Sequence, residues 1–146
     1  ATGTPSSDQS VTVTRSRTSA RAPTGWERTL RVSTVEGRVT ETLVCGDTTR
    51  TDSASLPESK LGPFRDLAGS DAVTALDSRY ECVEPCPTDI PATTITVATP
   101  STERTVTVEA GAETPPVLDR VTGALDTASE HVSTGGCDPV PPTETR

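Results

Sequence analysis

The sequence predicts an α+β fold: a four- to five-stranded antiparallel sheet with two helices packed on one face, stapled by disulfides. Three observations carry that expectation. Four segments alternate apolar and polar residues, two others repeat apolar residues every three to four positions, and Gly- or Pro-containing turns separate the paired strands. Alternation puts apolar side chains on one face of a strand, and the longer period puts them on one stripe of a helix. The order strand, strand, helix, strand, strand, helix then gives an antiparallel sheet with its helices on one side.

Each element has its own signal. Leu30 and Val32 alternate with polar neighbours over 28–34, Glu36-Gly37 forms a turn, and Val39, Leu43 and Cys45 share a face over 38–45. Together they predict a hairpin buried on one side. Trp26, the only Trp, stands just before the first strand and caps the core edge. A polar loop follows from Gly46 to about Ser55. Leu61, Phe64, Leu67 and Ala68 then trace a helix, with Pro63 inside it or at the first turn of a shorter one. Val73 and Leu76 continue the apolar set through a short turn over 71–76.

Residues 80–91 hold two cysteines and three prolines, which marks a loop ordered by constraint. Ile95 and Val97 alternate over 93–99, Val106 and Val108 over 104–109, and Pro100-Ser101-Thr102 links them as a second hairpin. Leu118, Val121, Leu125, Ala128 and Val132 trace the final helix, with Thr114 as its N-cap and Pro115-Pro116 in its first turn. Gly123 weakens that helix by about 1 kcal/mol. The domain runs over 25–137. Residues 1–24 form a flexible Thr/Ser/Arg-rich segment in which Val11 and Val13 allow one short edge strand, and 138–146 form a Pro-rich tail.

Composition explains the need for staples. Leu, Ile, Val and Phe number 26 of 146 residues and the net charge is −8. Chains with so little apolar surface tend toward disorder unless cross-links restrict the unfolded state. The four cysteines, Cys45, Cys82, Cys86 and Cys137, supply them. An even count in a short chain points to an oxidising, extracytoplasmic compartment, and a start without Met fits processing for secretion. Cys82-x3-Cys86 has tolerable zinc spacing, but the other two cysteines are isolated, so disulfides are favoured and no metal or cofactor is expected. Of three possible pairings, those tying Cys45 to Cys82 or Cys86, with the other holding Cys137, are preferred because they anchor both a strand and the C-terminal end.

Charge also narrows the partners. A sequence pI of about 4.6 argues against nucleic acid and anionic membrane surfaces. The Arg15, Arg17, Arg21 cluster in the Ser/Thr-rich head reads as solvated. No apolar run reaches the roughly 18 residues of a membrane span, and the oligomeric state stays open.

Catalytic signatures are missing. His131 is the only histidine and favours a helix C-terminus electrostatically. No nucleophile elbow or phosphate-cradling loop accompanies it, so an enzyme is not expected. A recognition loop is easier to build. In Pro85-Cys86-Pro87-Thr88-Asp89-Ile90-Pro91 the prolines fix φ and Cys86 can anchor the backbone, so little entropy is lost on binding.

Two resemblances bear on that loop. Leu43-Val44-Cys45 at a strand end, Phe64–Gly69 in a helix, Cys86–Pro91 running into Thr93-Thr94-Ile95-Thr96-Val97, and a late Cys137 resemble the Streptomyces subtilisin inhibitor family. On that resemblance Thr88 offers its carbonyl to a serine protease, Asp89 follows the scissile bond and Cys86 is the tether. This chain departs from that pattern in lacking the family's helix cysteine and in carrying Cys82 and a second helix. The order of strands, Tyr80, Thr88-Asp89-Ile90-Pro91, a Thr/Val hairpin, Pro115-Pro116 and a last helix is also similar to small bacterial emfourin-type domains, some of which inhibit thermolysin-like metalloproteases. Both imply a secreted inhibitor of an extracellular protease, but the second assigns no residue, and on it the Cys86–Pro91 loop is only a connector. The alternative is a non-catalytic extracellular or cell-envelope binding module.

Overall fold

The structure, a computed structural model, describes residues 10–19, 26–46, 48–69, 71–83, 85–86, 92–100 and 102–135. Its strands are β1 (Thr12–Ser19), β2 (Trp26–Ser33), β3 (Arg38–Cys45), β4 (Thr48–Ser55), β5 (Arg79–Tyr80), β6 (Thr93–Ala98) and β7 (Glu103–Val108). They form one sheet in the order β4-β3-β2-β1-β6-β7-β5, antiparallel except where β5 runs parallel to β7. The helices are α1 (Glu58–Arg65), a 3₁₀ turn (Asp66–Gly69), α2 (Asp71–Thr74) and α3 (Pro116–Ser129).

The α+β class stands, with a larger sheet than expected. Register places Val13 beside Val32 and Val97, Val32 beside Val39, and Ile95 beside Val106. These residues share one face and cluster with Leu61, Phe64 and Leu67, with Val73 and Leu76, and with Leu118, Val121, Leu125 and Ala128. Each such aliphatic or aromatic side chain contributes roughly 1.5–3 kcal/mol when fully buried. Gly37 turns the β2–β3 hairpin at φ +64°, a left-handed conformation that glycine adopts without Cβ strain.

The opposite face is hydroxylated. Thr51, Thr42, Thr29, Ser16, Thr94 and Thr107 are successive cross-strand partners, and the hydroxyls of Ser16 and Thr29 lie 3.2 Å apart. Threonine combines a β-branched shape that suits strands with a hydroxyl that suits solvent. Much of the chain's threonine is spent on this surface.

Two segments depart from expectation. Residues 12–19, expected in a flexible N-terminal segment or at an edge, form β1 between β2 and β6. Residues 48–55, expected as a polar loop, form edge strand β4, whose Cys45–Thr48 pairing closes on a turn that Gly46 opens at φ +58°. An edge strand exposed along most of its length needs no apolar alternation. Thr114 is also not the N-cap of α3: Pro115 holds that position, Pro116 begins the helix, and the Thr114 hydroxyl donates to Asp119.

Candidate functional site

The loop that follows β5 is fixed at its root by a single carboxylate. The Ser78 and Tyr80 carbonyls accept the Thr107 and Glu109 N–H groups at 2.9 Å each, which holds β5 to β7. One oxygen of Glu109 then pairs with the Arg79 guanidinium, and the other accepts the Cys82 N–H at 3.2 Å. Arg79, and secondarily the Cys82 N–H, hold the Glu109 carboxyl below the usual carboxylate range, while Glu109 raises Arg79. Such charge-assisted bonds are stronger than neutral ones.

Immediately beyond this clamp, Cys82 and Cys86 form a disulfide with Cα atoms 5.9 Å apart. Val83, inside the small ring, is 87% exposed. Pro85 is exposed and Cys86 half-buried, whereas Pro87, Thr88, Asp89, Ile90 and Pro91 lie outside the described residues. Ala92 is exposed, and β6 begins at Thr93. Both ends of the 83–92 segment are therefore tied to neighbouring strands.

The Cys82–Cys86 pair corrects the expectation that Cys45 bonds to one of them. Cys45 ends β3, near one edge of the sheet, while Cys82 follows β5 at the other edge. Five strand spacings separate them, about 24 Å, whereas a disulfide needs Cα atoms within about 7 Å. Cys45 is itself disulfide-bonded, and Cys137 lies outside the described residues. His131 lies exposed just past the end of α3.

Beside the loop root, a groove of about 620 Å³ opens between the sheet and α3. Arg15, Arg17 and Trp26 stand on its sheet side, Leu118, Gly123 and Asp126 on its helix side, and 109–112 close one end. Arg15 pairs with Asp126 at 2.7 Å, with only 11% of its side chain exposed. It is not the solvated charge expected of the N-terminal arginine cluster. Arg17 donates from Nε to the Thr93 hydroxyl at 3.0 Å.

Glu109, Arg17 and Trp26 were invisible as a group in the sequence because they come from three strands or strand ends. A signal was present for Arg15 and Arg17. They continue the alternation of Val11 and Val13, and so share the face that turns toward the helices. No family model matches this chain, and no curated protein matches it.

Proposed function

We propose that this chain is a secreted, non-enzymatic protein that presents the Pro85–Pro91 segment to an extracellular protease and blocks it. The observation that carries this reading is the double anchoring of the segment's first root, by the Cys82–Cys86 bridge and by Glu109. A segment held at both ends and stiffened by Pro85, Pro87 and Pro91 loses little freedom when a protease closes on it. An inhibitor of this kind also resists cleavage, because its ends stay in register if the bond is cut. Disulfides fit an oxidising compartment, which is where secreted proteases work. Thr88–Asp89 is the bond that would lie across the catalytic centre.

The test is incubation with a subtilisin-type and a thermolysin-type protease. Near-stoichiometric inhibition of one class is expected, with inhibition lost in the Cys82→Ser/Cys86→Ser variant. Slow cleavage mapped by mass spectrometry should fall between Thr88 and Asp89 for a serine protease. Activity of both proteases unchanged by a micromolar excess of intact protein would sink the reading and leave a non-catalytic binding module in its place.

A further inference from the structure

The groove beside α3 has a role that the loop does not explain. Three features of it converge. First, Arg17 uses its Nε on Thr93, and among the described residues no carboxylate lies within 4 Å of its guanidinium. Second, Arg17 is exposed, yet partial desolvation of its guanidinium and then the charges of Arg15 and Arg28 lower its pKa, only partly offset by Asp126. A guanidinium placed among other cations is stabilised by an incoming anion.

The third feature is Gly123. It sits in the middle of α3, where glycine is destabilising. A Cβ built there meets nothing within 4 Å among the described residues, so none of them requires the glycine. Its effect is to widen the groove opposite Arg17 and Trp26. The acidic groups on the walls are already engaged: Asp126 by Arg15, Glu109 by Arg79 and Asp119 by the Thr114 hydroxyl.

We propose that this groove binds a small apolar carboxylate, its charge on the free nitrogens of Arg17 and its body beside Trp26, over Ile95 and Leu118. The volume is within the usual range for small-ligand sites, and a few polar groups among apolar walls are their usual lining. Planar guanidinium and carboxylate pair through two parallel hydrogen bonds, which fixes the ligand's direction. This site is independent of the loop: it holds whether or not the protein blocks a protease.

Trp26 is the only Trp in the chain, so its fluorescence reports occupancy directly. Titration with 4-phenylbutyrate should give a saturable change by roughly millimolar ligand, and 4-phenylbutyramide should bind about ten-fold more weakly or worse. Arg17→Gln should lose the preference for the acid, and Gly123→Leu should block both ligands, each with an unchanged urea midpoint or a higher one. N-acetyl-Phe-Leu and its amide form a second arm, because a peptide C-terminus carries the same chemistry. Saturation by this acid alone assigns the groove to peptide ends. No saturation by either acid, equal binding of acid and amide, or binding unchanged in Arg17→Gln overturns the proposal.

Discussion

The Thr134 hydroxyl donates to Oε1 of Glu41 at 2.7 Å, and both residues are buried. Glu41 lies on the inward face of β3 between Val39 and Leu43, where a carboxylate is costly unless it is partnered. Arg28 supplies the charge at 3.3 Å and also donates to the Thr134 hydroxyl and the Gly135 carbonyl. Arg50 donates to the Thr134 carbonyl, and Asp52 accepts the Ser133 N–H at 2.8 Å. The segment after α3 is thus strapped across β2, β3 and β4.

Breaking this network from either side should cost stability. Glu41→Ala leaves Arg28 without its carboxylate and should lower the unfolding free energy by about 2–3 kcal/mol, below the full cost of a deeply buried pair because Arg28 is partly exposed. Thr134→Val should cost about 1 kcal/mol. Urea denaturation measures both, with Thr49→Ala on exposed β4 as the reference. Losses no larger than that reference would remove the strap from the account of stability.

The remaining disulfide should join Cys45 to Cys137. Trp26 pairs with Cys45 across β2 and β3, and Arg28, two residues along β2, holds the Gly135 carbonyl at 2.6 Å. Cys137 is two residues past Gly135, a span of up to about 7 Å. Peptide mapping of the unreduced protein should recover Cys45–Cys137 and Cys82–Cys86 and no other pair. On the chain-entropy model the long loop is worth about 4–5 kcal/mol and the short one about 2 kcal/mol, so Cys45→Ser should destabilise more than Cys82→Ser.

Acid should release the loop root. The Glu109 pKa is lowered in the folded chain, so its contribution is complete above the ordinary Glu value of about 4.3 and is lost as pH falls through the lower folded value. The Cys82 amide shift, followed by NMR, should titrate with a midpoint below that ordinary value. Glu109→Gln should abolish the titration and speed exchange of the Cys82 amide. A midpoint at or above the ordinary value contradicts the clamp.

Gly123→Ala should raise stability. Replacing glycine in a helix interior gains about 0.5–1 kcal/mol, and among the described residues the new methyl meets no atom within 4 Å. Thermal unfolding should move upward by a few degrees. A downward shift would mean that the backbone at Gly123 is needed as it is.

Legibility from the sequence followed apolar pattern closely. The hairpins around Gly37 and Pro100, the helix through Phe64 and the helix through Leu125 each bury a largely apolar stripe or face, and each is readable. β1 was misplaced because its inward face changes character along its length: Val11 and Val13 enter the core, Arg15 and Arg17 enter the groove. β4 is hidden because only the small Ala54 among its inward residues packs on the core, while Asp52 and Arg50 serve the strap. The Cys82–Cys86 pairing needed the strand order, which places β3 and β5 near opposite edges and which no local pattern encodes.

β1 joins two parts of the sheet that the chain makes at very different times. Its partner β2 follows it directly, but its other partner is β6, with Thr12 opposite Ala98. A growing chain can complete the β1–β4 meander while the second side of β1 still has nothing to pair with. During that interval its free N–H and C=O groups form an open template that a second nascent copy can add to. Closing it requires a long-range search, which slows folding. The strand that unites the finished sheet is therefore the one through which an unfinished chain is most exposed to aggregation.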